Sequence, residues 1–308
     1  MKKILILGGF GFLGKNINEV LKDSGYELFN ESKRTGCDLL NFENLKNKIE
    51  TIRPNFIINA AAHVGSMDYV AKNCADVCHD NSLMYINLYK AVKEVDNGIL
   101  IINPISNCSY PGIIDIQNEE NWWDGEIHHS VESYGNPKKL GFILSETYRK
   151  QYGIKTINLI LANAYGPLDY TDVNKTHALN GLIIRMIESK RRGDKEFIVW
   201  GTGTPIREWL YMEDAARLIK EIIDNEITDL PNPLNFGKQN GVSIIDSVNT
   251  IKSLMNYEVS IIHDTSKQDG APIKILGNTK FNECFKNFVF TDYIKGIEKT
   301  IEYYERTI

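Results

Sequence analysis

Ile4-Leu5-Ile6-Leu7-Gly8-Gly9-Phe10-Gly11-Phe12-Leu13-Gly14 opens the chain with an apolar run that passes directly into glycines spaced G-x-x-G-x-x-G. A run this apolar suits a strand buried on both faces, and helical patterning follows from Lys15. A strand that turns tightly into a helix gathers backbone amides and the positive end of the helix dipole at one point, which is where a pyrophosphate binds. Gly8, Gly11 and Gly14, with Phe12 and Leu13 between them, are the candidate phosphate-binding residues.

Similar apolar runs recur at Tyr26–Phe29, Phe56–Asn59, Ile99–Asn103, Ile157–Leu161 and Phe197–Trp200, with amphipathic stretches in the gaps. That alternation predicts an α/β fold, a Rossmann-type doubly wound parallel sheet. After Tyr165-Gly166-Pro167 the regularity falls. A cofactor-binding domain is therefore expected over 1–165, and a smaller C-terminal α/β substrate-binding lobe over 166–308. Trp209–Met212 and Leu234–Gly237 look like short strands, so segments near 198–240 are free to return to the first domain.

The bulk properties are consistent with this. A length of 308 residues accommodates a large core with a second lobe attached. A net charge of −5 gives no reason to expect nucleic acid or an anionic membrane as partner. Four apolar residues after Met1-Lys2-Lys3 are too few for a signal-peptide core or a bilayer span. The five cysteines are scattered and odd in number, which argues against a disulfide framework and for a reducing cytoplasm.

The second strand is expected to end near Phe29-Asn30 and to run into Glu31-Ser32-Lys33-Arg34. An acid there would hold the ribose 2′-hydroxyl of NAD, whereas Lys33 and Arg34 would neutralise the 2′-phosphate of NADP. NADP is favoured, and Glu31 keeps NAD open. Asp38, in Cys37-Asp38-Leu39, is expected to follow a third strand and to accept a hydrogen bond from an adenine amino group. Asn59-Ala60-Ala61-Ala62-His63 is read as closing a fourth strand with side chains small enough for a dinucleotide to lie against the backbone. His63 is assigned no chemistry.

Tyr134 and Lys138 form a Tyr-x-x-x-Lys pair, a spacing that places both on one face of a helix. Spacing alone decides nothing, because Tyr89 and Lys93 share it. Context separates them. Tyr89 belongs to a long amphipathic helix, whereas Tyr134 follows a strand and the polar segment Ser106-Asn107-Cys108-Ser109. Pro137 is tolerated only in a first helical turn, which puts Tyr134 at the helix entrance. A phenol is a weak acid at neutral pH, and a neighbouring ammonium is expected to lower its pKa. Ser106 would orient a substrate oxygen while Tyr134 exchanges its proton and hydride moves to or from a nicotinamide. Tyr134 and Lys138 are also candidate cofactor contacts.

Together Gly8-x-x-Gly11-x-x-Gly14, Ser106, Tyr134-x-x-x-Lys138 and Asn163-Ala164-Tyr165-Gly166-Pro167 resemble the extended short-chain dehydrogenase/reductases that act on sugar nucleotides, over residues 1 to about 220. Within that family the likeness is to the branch of GDP-L-fucose synthases, the GDP-4-keto-6-deoxymannose 3,5-epimerase/4-reductases. Three stretches carry it: Ser106–Pro111, Asn163–His177 and Val199–Trp209. The resemblance implies a GDP-sugar substrate and NADPH-dependent reduction at C4, with Cys108 and His177 as the acid–base pair for inversion at C3 and C5. It implies that Asn163, Arg185 and Arg207 contact the sugar or its diphosphate, that Trp200 lines the nucleotide pocket, and that a homodimer forms through helices near 81–95 and 138–152. In that family a 4,6-dehydratase carries an Asp-Glu pair beside its Ser or Thr; Asn107-Cys108 stands here instead.

The stretch Trp122–His129 is unlike the family pattern and lies where a sugar could be contacted, leaving hexose and heptose both open. Adjacent His128-His129, and Cys74-x-x-x-Cys78-His79 on a helical stretch, lack ligand spacing, so no metal is expected. The alternatives are a C4-reductase without epimerisation, an NAD-retaining 4-epimerase and a non-enzymatic Rossmann redox sensor. The complete Ser-Tyr-Lys set argues against the last, since a sensor needs no proton pathway.

Overall fold

The computed structural model describes residues 1–172 and 175–308. The first part of the chain alternates strands with helices: β1 (Lys3–Leu7), α1 (Phe12–Leu21), β2 (Glu27–Glu31), α2 (Phe42–Ile52), β3 (Phe56–Asn59), two consecutive helices α3 (Met67–Lys72) and α4 (Cys74–Val95), β4 (Leu100–Ser106), α5 (Glu132–Tyr152) and β5 (Thr156–Leu161). There follow β6 (Asn163–Tyr165), α6 (Ala178–Arg192), β7 (Glu196–Trp200), β8 (Ile206–Tyr211), α7 (Met212–Asp224) and β9 (Leu234–Phe236). The chain ends with β10 (Gly241–Ser243), α8 (Ile244–Leu254), β11 (Ser260–Asp264), β12 (Ile273–Lys274), α9 (Thr279–Cys284) and α10 (Tyr293–Thr307).

The strands β2-β1-β3-β4-β5-β9 form one parallel sheet in that order. Successive side chains of a strand point to opposite faces, and both faces here are covered. Ile4 and Ile6 pack with Ile17 and Leu21 of α1 and Leu218 and Ile222 of α7. Leu5 and Leu7 pack with Leu45 and Ile49 of α2 and Leu88 and Val92 of α4. This is the doubly wound sheet expected of uninterrupted apolar strands.

The second layer begins two residues after β5. In it β8 pairs with β6, β10 and β12, while β7 pairs with β11. Its core joins Leu179, Ile183 and Ile187 of α6 to Val248 and Ile251 of α8 and Ile297 and Ile301 of α10. The chain then re-enters the first layer: α7 packs on α1, and β9 completes the parallel sheet. Because parallel strands end on the same edge, Gly8, Ala60, Ser106 and Ala162 lie along one rim, facing the second layer.

Four local expectations are corrected. Helix α1 starts at Phe12 rather than Lys15. No strand precedes Asp38; β2 continues through Glu31, and a single turn over Lys33–Thr35, capped by Ser32, leads to Gly36. The run Phe56–Asn59 is therefore the third strand, not the fourth. Pro137 lies six residues into α5, beyond its first turn. A proline there withholds the N–H that the Ser133 carbonyl would otherwise receive.

Candidate active site

Strand β4 delivers the centre of the site. It ends on Ser106, whose Oγ accepts the backbone N–H of Cys108 at 3.2 Å and starts a turn over Asn107–Ser109. Ser109 Oγ donates to the Ser106 carbonyl at 2.7 Å, and Trp122 Nε1 donates to Ser109 Oγ at 2.9 Å. Trp122 is fully buried against Tyr110 and Phe142, so it anchors this turn and does not meet a sugar, as its position had suggested. Asn163 Oδ1 accepts from Asn107 Nδ2 at 2.8 Å, joining the start of β6 to the same turn.

The first turn of α5 then closes on this segment. A Cβ at Gly135 would lie 2.5 Å from the Cys108 carbonyl oxygen, so only glycine allows that approach, which sets Tyr134 beside Cys108. Lys138 follows one turn on, almost fully buried, with Nζ 5.4 Å from the Tyr134 ring centroid. Burial pushes the Tyr134 phenol up and Lys138 pulls it down, and burial prevails, contrary to the sequence expectation. A phenol held protonated is the form that can donate. The rival pair dissolves: Tyr89 is wholly buried in the core with α2.

Cys108 has an unforeseen partner. Lys274, in β12 opposite Arg207 of β8, is nearly buried, and its Nζ donates to Cys108 Sγ at 3.2 Å. Burial raises the thiol pKa, but the Lys274 charge, hydrogen bonds from Ser106 and Lys274, and the Arg207 charge together hold it below the ordinary thiol value. His128 adjoins this group. Its Nδ1 accepts the Ser130 N–H at 3.3 Å, and burial, His129, Lys274 and Arg207 all push its pKa down, favouring the neutral ring.

His177 is fixed by a residue that the sequence reading passed over. Asp169, whose side chain is wholly buried, accepts from His177 N at 2.8 Å, His177 Nδ1 at 3.0 Å, Asn180 Nδ2 at 2.9 Å and Thr176 Oγ1 at 3.2 Å. Burial would raise this carboxyl, yet these donors and His177 hold it below the usual range. With Nδ1 on Asp169, Nε2 is left for chemistry. The ring packs against Phe12, 5.0 Å between centroids, over the glycine-rich turn. Part of the stretch Asn163–His177, namely residues 173 and 174, lies outside the described residues.

Trp200, half-exposed, stacks under Arg185, whose guanidinium carbon is 4.7 Å from the ring centroid. Asp269 accepts from Thr202 N at 3.1 Å and Thr202 Oγ1 at 2.7 Å. A Cβ at neighbouring Gly270 would lie 3.1 Å from Arg207 Nη2. One wall therefore runs from Trp200 through Asp269 and Arg207 to Lys274 and Cys108.

The other end fits a dinucleotide. A Cβ at Gly14 would stand 2.3 Å from the Gly8 carbonyl oxygen, so the turn closes only with glycine. Gly11 caps α1 without a side chain, leaving the amides at Phe12, Leu13 and Gly14 for a ligand. Ala61 touches Gly8, and Ala60 and Ala62 flank it half-buried. Glu31 is spent elsewhere: Lys48 Nζ binds Oε1 at 2.9 Å and Thr35 Oγ1 donates to Oε2. Arg34 is exposed without an acidic partner among the described residues, while Lys33 pairs with Asp38 at 3.2 Å. Asp38 also caps Leu40 N at 3.1 Å, and Leu39 is a core residue whose carbonyl accepts from Asn87. His63 is bound at Nδ1 to Asp80 and at Nε2 to Tyr69, both at 2.8 Å. Among the described residues no three His, Cys, Asp or Glu are grouped to hold a metal.

Residues 4–237 match the NAD dependent epimerase/dehydratase family, and the chain belongs to that family. The GDP-L-colitose synthase of Yersinia pseudotuberculosis is 32% identical over 308 residues, covering 98% of this chain and 97% of that protein. A GDP-L-fucose synthase of Dictyostelium discoideum is 27% identical, covering 98% and 95%. Among solved structures, a GDP-L-fucose synthetase from Naegleria fowleri bound to NADP superposes with a TM-score of 0.85 at 26% identity, covering 99% and 94%. A GDP-6-OMe-4-keto-L-xylo-heptose reductase from C. jejuni shares the fold at TM-score 0.89 and 21% identity, covering 100% and 98%.

Replacing Asp169 by alanine leaves buried donors on Thr176, His177 and Asn180 without their acceptor. Urea unfolding is expected to show a loss of about 3–5 kcal/mol; a loss below about 0.5 kcal/mol, the scale of an ordinary surface change, would show that Asp169 does not organise the His177 turn.

Proposed function

We propose that this chain inverts C3 and C5 of a GDP-4-keto-6-deoxy sugar, hexose or heptose, and then reduces C4 with NADPH. The observation that carries the reading is a thiol held by Lys274 in the same cluster as Ser106, Tyr134 and Lys138. A plain reductase needs the Ser-Tyr-Lys set but has no use for a thiol beside it whose ionisation a lysine favours.

The C4 ketone acidifies the hydrogens on C3 and C5. Cys108, as thiolate, removes one, and the enolate oxygen is stabilised by donation from the Ser106 and Tyr134 hydroxyls. His177, its Nδ1 on Asp169, returns a proton through Nε2 to the opposite face. When bound, NADPH supplies the hydride taken up by C4. Tyr134 gives its proton to the C4 oxygen, and Lys138 compensates the negative charge left on the phenol. Asn163 steadies the sugar, Arg207 and Arg185 bind the diphosphate, and Trp200 lines the nucleotide pocket, Arg suiting phosphate because its planar fork gives paired bonds. The preference for NADPH over NADH rests on Arg34 and on the occupied carboxylate of Glu31.

The same reading assigns the cofactor to residues 1–165, with α7 and β9 returning to them, and the sugar nucleotide to 166–308. It places the enzyme in the cytoplasm, supplying an activated sugar for capsule or lipopolysaccharide. Free cysteines at all five positions suit a reducing compartment, and no described helix is long and apolar enough to cross a membrane. A homodimer through α4 and α5 is supported by exposed Ile86 and Ile143 on those two packed helices.

In deuterated water with NADPH and GDP-4-keto-6-deoxy hexose or heptose, the reduced product is expected to carry deuterium at C3 and C5. Cys108→Ser should cut that labelling by about 100-fold or more. Reduced product without label would leave a simple C4-reductase, and no NADPH oxidation with either sugar would overturn the whole reading. Arg34→Ala should weaken NADPH about tenfold in a fluorescence titration while leaving NADH unchanged; equal effects on both would remove Arg34 from the 2′-phosphate site.

A further inference from the structure

The surroundings of Lys138 go beyond what proton transfer at Tyr134 requires. Its ammonium lies between two phenols, with Nζ 5.4 Å from the Tyr134 ring centroid and 5.3 Å from that of Tyr85. Nζ donates to the Tyr85 hydroxyl at 3.2 Å. Tyr85 comes from α4 and is almost completely buried, and burial pushes its phenol far above the ordinary value. It is therefore neutral, and its oxygen offers a lone pair to the ammonium.

Beneath Tyr85 the parallel sheet carries an unusual row of carboxamides. Asn59, Asn103 and Asn158 sit on adjacent strands β3, β4 and β5, all buried, among Ile and Leu neighbours. Asn59 Nδ2 donates to Asn103 Oδ1 at 3.2 Å, and Asn103 Nδ2 to Asn158 Oδ1 at 2.7 Å. Asn158 Nδ2 continues to Ser145 Oγ at 2.9 Å and Asn232 Oδ1 at 3.1 Å. Carboxamides are costly in a sheet buried on both faces unless bonded, and apolar residues would fill these positions without that demand. Asn103, in the middle of this row, pulls the Tyr85 phenol down against the burial. Neutral amides are poor proton carriers, and the array is one of orientation. Room for it is made on α5: a Cβ at Gly141 would lie 2.6 Å from a Tyr85 ring carbon.

We propose that Tyr85, packed against Gly141, is a positioning residue for Lys138: it pins the ammonium between the two rings, where it faces Tyr134 and the dinucleotide site. This rests on Lys138 belonging to the cofactor-binding and proton-donating set. Ser106, Cys108 and His177 lie outside the claim.

The test is a double-mutant cycle on NADPH binding, read by fluorescence with the full chain and no sugar present. Tyr85→Phe should weaken NADPH about tenfold, with a melting temperature within about 2 °C of the parent. Lys138→Met should weaken it at least as much, and adding Tyr85→Phe to Lys138→Met should cost nothing more. Should Tyr85→Phe fail to fold, Gly141→Ala keeps every polar group, displaces the Tyr85 ring and should give the same loss and the same non-additivity. Additive losses, unchanged NADPH affinity in Tyr85→Phe, or indifference to Lys138→Met would each overturn the proposal. Because no keto sugar is involved, these outcomes are independent of whether deuterium enters C3 and C5.

Discussion

The ammonium of Lys274, 3.2 Å from the sulfur of Cys108, is the contact that sets the electrostatics of the crevice. A thiol enclosed by protein resists ionisation, since burial penalises the charged form. Two cations and the Ser106 hydrogen bond reverse that penalty here. Their placement comes from strand pairing: β12 lies parallel to β8 in a register that sets Lys274 opposite Arg207. Glu208, the next residue of β8, secures the arrangement, accepting Leu276 N and Gln239 N, each at 2.8 Å. Burial pushes this carboxyl up to about 7, so near neutral pH the clamp is maintained by its backbone donors.

The rest of the site is built by making separate elements converge on one rim of the parallel sheet. Ser106 ends β4, Asn163 opens β6, and the Asn107–Ser109 turn between them is anchored from below by Trp122. Tyr134 arrives because glycine at 135 lets α5 begin against that turn. Phenol, thiol and imidazole thus sit on three different elements, each beside a charged partner: Lys138 for Tyr134, Lys274 for Cys108, Asp169 for His177. Rigid support of this kind suits proton transfers that must be aimed at particular faces of one ring.

Much of this was legible in the sequence because its signals are local. Apolar strands, the glycine spacing and the Tyr-x-x-x-Lys step each depend on a few neighbouring residues. Cofactor preference became clearer only when the structure showed both oxygens of Glu31 engaged, a fact set by Lys48, 17 positions away. Lys274 is 166 positions from Cys108 and lies between Ile273 and Ile275, so nothing around it announces that contact. Asp169 had a usable signal, an acid directly after Tyr-Gly-Pro-Leu and eight residues before His177. The imagined strand before Asp38 failed because Ser32 and Gly36 close a turn there, and Pro137 misled because a buried proline can sit past the first turn when the helix is held by packing.

Cys108 ionises more readily than an ordinary thiol because Lys274 stands beside its sulfur. The most direct measurement of this is the pH dependence of iodoacetamide alkylation at Cys108, followed by mass spectrometry of the Cys108 peptide in the parent, Lys274→Met and Lys274→Arg chains. Alkylation is expected to titrate below the ordinary thiol value in the parent, to move upward in Lys274→Met with about a tenfold loss of neutral-pH reactivity, and to recover in Lys274→Arg. Coincident profiles for parent and Lys274→Met would contradict it.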